Sequence, residues 1–318
     1  MRGLGLIAIL AGLWLGLVVL ASPGKALAAS GCTASVTNGG FGNVAVLAGG
    51  SATTTATLSF SCTGMVPAVP VTLCPNLDAG SGGTDGSGGR YLSSGPSTLP
   101  FQIYQDNGYS QSWGSTSLLA FGAVPTITIT PDSSGKASTT VTLYAKVTAA
   151  STAPPGTYTS SFANENFFYG LNLLTCAGVT VGTGVTPATF TFTATVQSNC
   201  SVSATDLAFG PVGLLNASVL ANNQFTVTCT NGTAWSVGLD NGKYGSGPTA
   251  RQMDNSGARV TYGIYTDSGR TSAWGATGGP SGTGTGLSQT FKGYGKVPAQ
   301  TTPASGSYSD QVVATITY

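Results

Sequence analysis

The feature that most constrains the fold of this chain is an internal repeat, because two stretches follow the same pattern of residues. In each copy a cysteine precedes a Phe-Gly pair by nine residues, and a short β-prone run then ends in a second cysteine. An Arg, an Ile-Tyr pair, an Asp and a Trp-Gly pair follow, and each copy closes on a turn and a tyrosine. The matched positions are Cys32 and Cys200, Phe41 and Phe209, Cys62 and Cys229, Arg90 and Arg251, Ile103 and Ile264, Asp106 and Asp267, Trp113 and Trp274, and Tyr158 and Tyr308. Repetition on this scale predicts two copies of one domain, over residues 29–197 and 198–318.

The composition between the repeated positions is typical of β-structure. Runs rich in Thr, Val, Phe and Tyr alternate with turns of Gly, Pro, Asn and Ser, which predicts all-β sandwiches. Only 7% of the residues are charged, with 11 Lys and Arg against 10 Asp and Glu. A chain so balanced has no basic surface that would attract nucleic acid or anionic lipid.

The N-terminus has the pattern of a secretory signal peptide. Arg2 precedes an apolar run from Leu4 to Leu20, and the small residues around Ala28 fit a cleavage site. A retained membrane anchor is the alternative, because the apolar run is almost long enough to span a bilayer. The sequence therefore predicts export and the removal of residues 1–28.

All six cysteines follow the apolar N-terminal run, which suits an oxidising compartment and an even number of disulfides. Six cysteines allow many pairings, and the repeat narrows the choice because each copy is expected to contain the same bond. The two cysteines that have no counterpart then pair with each other. The predicted bonds are Cys32–Cys62, Cys200–Cys229 and Cys74–Cys176. A zinc site is not indicated, since the chain has neither histidine nor a C-x-x-C pair.

The second copy carries a set of residues that together point to one family. They are Cys200, Asp206-Leu207, Phe209-Gly210, Val227–Cys229, Leu239–Gly242, Arg251–Met253, Tyr262, Ile264-Tyr265, Asp267, Trp274-Gly275, Tyr294-Gly295, Gly306–Tyr308 and Asp310. With these residues the second copy resembles the spore coat protein U domain, and the first copy is a looser match with insertions. In the bacterial family that this resembles, such domains are subunits of archaic, Csu-type chaperone–usher pili. The two-domain arrangement is similar to that of the tip subunit.

The resemblance implies an all-β fold of two immunoglobulin-like β-sandwich domains in tandem, the second incomplete and awaiting a donor strand. It also implies secretion through the periplasm, with a periplasmic pilus chaperone, an outer-membrane usher and the next pilin subunit as partners. The position that it implies for this chain is the extracellular tip of the pilus on the cell surface.

A donor strand must be extended, with apolar residues at alternate positions. The segment Thr189–Val196 meets this description directly before the second copy, with apolar residues on one face and threonines on the other. It is predicted to complete the first domain within the same chain, although an ordinary last strand of a sandwich makes the same structural prediction. The residues of this donor-like strand are Phe190, Phe192, Ala194 and Val196.

The second domain is predicted to lack such a completing strand. Its last run, Val312–Tyr318, corresponds to the penultimate strand, and the exported chain would offer only Ala29–Gly31 before Cys32. An open hydrophobic groove is expected beside the last run, which would be an aggregation hazard unless a chaperone or donor strand covered it. A subunit that accepts a strand without giving one would cap the fibre. The expected edge of the groove is formed by Val312, Val313, Ile316 and Tyr318.

The first copy carries extra residues after Tyr158, which are predicted to form a loop at the pole farthest from the second domain. This insertion begins at Phe162 and contains a dense apolar cluster, and another apolar cluster follows Trp113. Apolar residues at an exposed end mark an interaction surface, here for abiotic or host surfaces. The alternative is that they fold into the core or form an additional strand. The candidate surface-binding residues are Phe167, Phe168, Tyr169, Leu171, Leu173, Leu174, Leu118, Leu119 and Phe121.

Enzymatic chemistry and cofactors are not indicated. Without histidine there is no Ser-His-Asp or Cys-His arrangement. Asp106 and Asp267 are expected to make turn hydrogen bonds, and Asp78 with Asp85 would be a thin ligand set for calcium. The sequence therefore favours a tip adhesin that mediates attachment and biofilm formation. The alternatives are a secreted structural coat protein or minor pilus subunit without an adhesive role, or a carbohydrate-binding lectin.

Overall fold

The computed structural model of the protein describes residues 30–47, 49–148, 150, 152–171, 175–176 and 182–318. These residues form β-strands and one short 3-10 helix, η1 (Leu119–Phe121), which confirms the all-β prediction. The predicted signal peptide, residues 1–28, lies outside the described residues. No helix within the described ranges is long and apolar enough to cross a membrane.

The strands of the first copy, hereafter the first domain, form two sheets around one core. In chain order they are β1 (Gly31–Val36), β2 (Gly39–Val44), β3 (Ala52–Thr63), β4 (Val71–Pro75), β5 (Arg90–Ser94), β6 (Ser97–Tyr104), β7 (Ile127–Ile129), β8 (Ala137–Val147), β9 (Gly156–Phe162), β10 (Phe167–Leu171), β11 (Thr183–Val185) and β12 (Phe190–Val196). The larger sheet has the order β1-β3-β8-β6-β5-β9-β12-β2, and the smaller sheet has the order β11-β10-β4-β7.

The second copy, hereafter the second domain, forms two smaller sheets around its own core. Its strands are β13 (Cys200–Ala204), β14 (Val219–Cys229), β15 (Ala234–Leu239), β16 (Arg251–Asn255), β17 (Ala258–Tyr265), β18 (Ser281–Thr283), β19 (Ser288–Val297) and β20 (Ala314–Thr317). They pair in the orders β13-β14-β19-β17-β16 and β18-β15-β20. Every pairing among the described strands joins strands of the same domain.

Each domain is built around a buried tryptophan and a buried arginine at matched positions. The indole nitrogens of Trp113 and Trp274 each donate a hydrogen bond to a strand carbonyl of the same domain. The guanidinium of Arg90 donates to the carbonyl oxygen of Trp113 at 3.0 Å, and that of Arg251 donates to the carbonyl oxygen of Trp274 at 2.8 Å. Since buried polar groups need such partners, these residues fix the same scaffold in both domains.

The three disulfides have the predicted pairing. Cys32 and Cys62 are register partners on β1 and β3, and Cys200 and Cys229 are register partners on β13 and β14. The third bond joins β4 to the segment after β10 and has no counterpart in the second domain. It forms a small buried cluster of its own, against which a side chain of β10 packs. The residues of this cluster are Cys74, Val124, Cys176 and Phe168.

Asp106 and Asp267 make the predicted turn hydrogen bonds. The carboxylate of Asp106 accepts the backbone N–H of Gln111 at 2.7 Å, and that of Asp267 accepts the backbone N–H of Ser272 at 2.6 Å. These bonds hold the pKa of both carboxyls below its ordinary value. The matched acids therefore stabilise the corresponding turn in each of the two domains.

A hydrogen-bonded joint connects β12 to the second domain. The hydroxyl of Thr230 donates to the carbonyl oxygen of Gln197, directly after β12, at 3.3 Å, and it accepts the backbone N–H of Asn199 at 3.1 Å. The side-chain amide of Asn231 donates to the carbonyl oxygen of Thr152 in the first domain at 2.8 Å. The strand that ends the first domain therefore leads directly into the second.

A carboxyl is buried between β9 and β10 in the first domain. Glu165 is only 5% exposed and its Oε2 accepts the backbone N–H of Asp78 at 2.8 Å. Burial raises the pKa of the Glu165 carboxyl to about 7, although this hydrogen bond and the nearby Arg90 guanidinium favour the charged form. The chain has no histidine, so few other side chains have an ordinary pKa near this value.

We expect the free energy of unfolding of the first domain to fall by roughly 3 kcal/mol as the pH rises from about 4.5 to beyond about 7. A raised pKa means that the folded state holds the proton of Glu165 more tightly than the unfolded state does. The stabilisation that this proton gives is therefore complete at pH values below the pKa of the unfolded state. It is lost as the pH rises through the pKa of the folded state. Urea denaturation at pH 4.5, 6 and 8 measures this effect. Glu165→Gln should flatten the profile, and an unchanged slope in that variant would contradict the assignment.

Candidate functional site

An open groove of about 490 Å³ lies along the second domain, between two segments that do not pair with each other. One edge is the segment from Ala204 to Phe209, and the other is the segment from Tyr308 to Ala314. The floor is made by apolar side chains of the two sheets, by one tyrosine and by one asparagine. The floor residues are Asn223, Phe225, Leu239, Met253, Tyr262 and Ile264.

The same space in the first domain is filled by β12. This strand pairs antiparallel with β9 along its whole length, from Phe190 opposite Phe162 to Val196 opposite Gly156. Its other side pairs in parallel with β2. No strand described in the second domain takes this place, so the two domains differ in whether the groove is occupied.

Two features align the groove edge at Tyr308–Val312 with β9. The hydroxyls of Tyr158 and Tyr308 each donate to the carbonyl oxygen four residues earlier, at 2.7 and 2.6 Å. Directly after the tyrosines, Thr159 pairs with Ser93 and Ser309 pairs with Asp254. Ser93 and Asp254 are each the fourth residue of a strand, β5 or β16, that begins at a matched arginine. The correspondence between the two edges is therefore fixed independently on both sides of the tyrosine.

The residues that directly follow the opposite edge, after Phe209, show what the missing strand would cover. Val44 of β2 is 4% exposed beside β12, whereas Val212, at the same distance after the matched phenylalanine, is 44% exposed. Val46 is 3% exposed and its counterpart Leu214 is 70% exposed. Since soluble proteins seldom leave adjoining large apolar side chains uncovered without a reason, this edge has the character of an interaction surface.

A polar pair joins Tyr262 on the floor of the groove to Asp310 on its edge. Tyr262 donates its hydroxyl hydrogen bond to Oδ2 of Asp310 at 2.8 Å, and Oδ1 of Asp310 accepts the backbone N–H of Lys243 at 2.9 Å. Burial raises the pKa of the Tyr262 hydroxyl above its ordinary value, and the Asp310 carboxylate raises it further. Tyr262 is therefore neutral and acts as a hydrogen-bond donor at this point.

Of the four residues predicted to form the groove edge, only Val312 lines the groove. Val312 is half-buried. Val313 is exposed and its backbone N–H donates to Asp240, Ile316 lies in β20, partly buried against the core, and Tyr318 is exposed.

Sequence reasoning missed most of the residues that line the groove. Their signal was present in the repeat, because they flank the matched Phe-Gly pair and the matched tyrosine, which border the filled groove of the first domain. The principal missed residues are Leu207, Phe209, Asp310 and Ala314.

The donor-like strand lies where the sequence placed it, in β12. Its four apolar residues are buried and the threonines between them are half-buried. The rings of Phe190 and Phe162 stack with centroids 5.0 Å apart. The strand is thus an integral part of the first domain's core.

Three of the predicted surface-binding residues, Phe167, Tyr169 and Phe121, are buried, so their assignment was wrong. Phe167 and Tyr169 point into the core of the first domain, and Phe168 is half-buried against the cluster around the third disulfide. Leu171 is exposed, while Leu173 and Leu174 lie outside the described residues. The structure therefore has the alternative arrangement, in which this segment forms a strand.

The physical reason is that β10 is the counterpart of β20 rather than part of an insertion. Phe167 lies opposite Pro75 in β4, and Ile316 lies opposite Val237 in β15. Pro75 and Val237 are matched positions, because their carbonyl oxygens accept the indole N–H of the matched tryptophans. The apolar residues of β10 therefore contribute to a core that both domains share.

The second predicted apolar cluster presents its leucines to solvent. Leu119 is 82% exposed and Leu118 is also exposed, both at the start of the short helix η1. Phe121 is buried, with its ring centroid 4.0 Å from the Arg90 guanidinium carbon. The backbone N–H of Leu118 donates to the Ser115 hydroxyl at 3.1 Å. Phe121 is therefore an anchor of this loop, and the two leucines are its exposed part.

The two acids considered for calcium are engaged separately. Asp78 accepts hydrogen bonds from the hydroxyls of Ser115 and Ser117, whereas Asp85 accepts backbone N–H groups of Ser87 and Gly89, each at 2.8 Å. Among the described residues there is no group of three or more His, Cys, Asp or Glu that could hold a metal ion.

Comparison with known proteins places these features in context. The model of the Spore Coat Protein U domain matches residues 18–163 and 186–315, which leaves out the residues containing β10 and β11. Protein U of Myxococcus xanthus is 34% identical over 113 residues, which are 33% of this chain and 63% of Protein U, less than two thirds of that relative's length.

Two solved structures are similar to the whole chain. One is the complex of CsuC and CsuE, a chaperone–tip adhesion subunit pre-assembly complex from the archaic chaperone-usher Csu pili of Acinetobacter baumannii. A chain of that complex is 17% identical to this chain, with a TM-score of 0.54. The similarity covers 91% of this chain and 100% of that chain and shows the same fold. The CupB6 tip adhesin of Pseudomonas aeruginosa is 14% identical with a TM-score of 0.40, covering 89% and 94% of the two chains, and is too distant to support an argument.

Proposed function

The chain belongs to the Spore Coat Protein U domain family, and from this premise we propose that it is the tip adhesin of an archaic chaperone–usher pilus. The first domain contacts the target surface, and the second couples the subunit to the fibre by accepting a donor strand. Residues 29–197 and 198–318 are the two functional units, and residues 1–28 direct export. The mature protein is located outside the cell at the end of the pilus.

The observation that carries this proposal is the contrast between one filled and one open groove. The strand that immediately precedes the second domain is β12, and it is already paired with β9 and β2 of the first domain. That strand is therefore not free to complete another subunit, while the second domain still needs a strand between Phe209 and Tyr308. A subunit that can receive at this groove and keeps its own strand in place suits the end of a fibre.

The partners follow from the chemistry of the groove. An open apolar groove with unpaired edges adds a strand from another chain readily, which gives specific binding or aggregation. A periplasmic chaperone would cover it first, and at the outer-membrane usher the donor strand of the next pilin subunit would replace the chaperone. The similar A. baumannii tip subunit has been crystallised with its chaperone, which supports the chaperone step.

Attachment is assigned to the loop around η1 rather than to β10. Leu118 and Leu119 are exposed side by side, and the loop is held by the buried Phe121 and by the Ser115 hydroxyl. A loop that is anchored in this way loses little conformational entropy when it binds. Apolar side chains on such a loop suit adhesion to hydrophobic abiotic or host surfaces, and hence biofilm formation.

We expect the double variant Leu118→Ser/Leu119→Ser to reduce the retention of piliated cells on a hydrophobic surface by about tenfold or more, because each buried leucine contributes about 1.5–3 kcal/mol. Leu287→Ser, which changes an exposed leucine of the second domain, is the matched control and should leave retention unchanged. Immunogold labelling should place the wild type and both variants at fibre ends only.

Three results would argue against the proposal. Labelling along the fibre would indicate a minor structural subunit, and full retention in the double variant would remove the adhesive role from this loop. Binding to a glycan array that matches or exceeds binding to the bare hydrophobic surface would indicate a lectin instead.

A further inference from the structure

We propose that the open groove discriminates between donor strands at one position, where it excludes an aromatic side chain and takes a small side chain with a hydroxyl group. This position is the one that Phe192 occupies in the filled groove of the first domain. The inference rests on the proposed strand-accepting function and adds the chemistry of the partner. A second copy of the β12 sequence would therefore be a poor donor for the second domain.

The filled groove gives the template. Phe192 lies opposite Ser160 in β9 and opposite Gly39 in β2. Its ring centroid is 5.8 Å from that of Phe101 and 6.2 Å from that of Phe41, so the ring is enclosed by other rings. This position is the centre of the strand's contact with the core.

The ring of Phe192 has room only because residue 39 is glycine. A Cβ atom at Gly39 would lie 2.3 Å from Cε1 of Phe192, a distance that real side chains do not adopt. Any larger residue at this place would have to displace the ring. The first domain thus combines a small residue on the edge with a large residue on the strand.

The corresponding edge of the second domain carries a large residue where the first domain has a glycine. The counterpart of Gly39 is Leu207, since both stand two residues before the matched phenylalanine. The Leu207 side chain lines the groove and lies over Gly295, where an added Cβ would be 2.7 Å from Cδ2 of Leu207. Ala145 stands at the place of Gly295 in the first domain, because Ile103 and Ile264 are matched and pair with these two residues. Part of the space that Phe192 fills is therefore already occupied by Leu207.

The other walls of this position are more polar in the second domain. Asp310 replaces the buried Ser160, and Tyr262 replaces Phe101. Tyr262 directs its hydroxyl to Asp310 and leaves the carboxylate with further capacity to accept hydrogen bonds. The carboxylate already accepts hydrogen bonds from Tyr262, Lys243 and Gln311, but an aromatic ring pressed against it would remove its remaining water and offer no further donor, which is costly.

A serine or threonine at this position meets both constraints. Its volume fits beside Leu207, and its hydroxyl can donate to the Asp310 carboxylate as the strand covers it. The adjoining positions of the donor face Val312 and Tyr308, where apolar side chains fit as they do in β12. The expected donor therefore alternates apolar residues but carries one small hydroxylic residue among them.

The test uses two synthetic peptides and the purified full-length chain. One peptide has the sequence of residues 189–196, and the other has serine in place of the phenylalanine that corresponds to Phe192. Isothermal titration should give the serine peptide a dissociation constant about tenfold lower or more, because overpacking and the loss of the carboxylate's remaining water each cost about 1–3 kcal/mol. Leu207→Gly should narrow this preference by improving the binding of the phenylalanine peptide alone.

The outcomes separate the inference from the function on which it rests. If the phenylalanine peptide binds as tightly as the serine peptide or more tightly, the discrimination is absent although strand acceptance stands. Strand acceptance itself fails, and the inference fails with it, if neither peptide binds. The same conclusion follows if both peptides bind to Val312→Asp, in which the groove is blocked, as tightly as to the wild type. The wild-type comparison decides the question even if Leu207→Gly does not fold.

Discussion

Phe192→Ala is expected to lower the free energy of unfolding of the first domain by about 3–5 kcal/mol, the range for removing a fully buried aromatic ring. The Phe192 side chain has no exposed surface, and its ring contacts the rings of Phe41, Phe101, Phe162 and Phe190. The loss should be near the upper end of the range, because the strand passes between β9 and β2 and cannot move toward either without breaking its pairing.

Chemical denaturation of the purified protein, with amide hydrogen exchange to assign the transition to β9 and β12, measures this effect. Thr193→Ala is the matched control, since Thr193 lies on the same strand but faces away from the core and is half-buried. We expect the control to cost less than about 1 kcal/mol. Equal losses in the two variants would show that β12 does not complete the core of the first domain.

The second large effect is expected from the disulfide that only the first domain has. Cys74→Ser/Cys176→Ser should lower the free energy of unfolding by about 4–5 kcal/mol, because the bond closes a loop with a sequence separation of 102 residues. A disulfide lowers the entropy of the unfolded chain more when it closes a longer loop. A disulfide that closes a shorter loop should therefore add less to the free energy of unfolding. The bond between Cys200 and Cys229 has a separation of 29 and a predicted contribution of about 3.6 kcal/mol.

Urea denaturation of the two double variants compares these contributions directly. The larger loss should belong to the Cys74 and Cys176 pair, and it should be confined to the first domain. Burial of the cluster around Val124 and Phe168 adds to the effect. A loss below about 1 kcal/mol would mean that the bond does not constrain the unfolded chain as the loop model requires.

The sequence was sufficient for features that depend on local pattern and on the repeat. Alternation of apolar residues with threonine identified β12, because neighbouring side chains of a strand point to opposite faces. The pairing of Cys32 with Cys62 followed from the repeat, and the structure places the two residues as register partners. Turn acids such as Asp106 were identified because their hydrogen bonds are made within five residues.

The apolar residues of β10 show where local pattern is ambiguous. Phe167 and Tyr169 alternate as in a buried strand, but the same residues also form a dense apolar segment that suggests an exposed adhesive loop. The decision depends on β4, whose pairing residues lie far away in the sequence. Pairing at that separation is not encoded by any short segment, so only the tertiary structure shows that these side chains are covered.

The sequence by itself determined that two copies of one β-domain follow each other, that the segment forming β12 is an extended strand and how the cysteines pair. Only the tertiary structure decided which apolar surfaces remain open. Val44 and Val212 occupy matched positions, yet one is covered and the other is exposed, because a strand lies beside the first and none of the described strands lies beside the second. Burial is a property of the neighbours that the whole fold brings together, and for the groove between Leu207 and Asp310 those neighbours are more than a hundred residues apart.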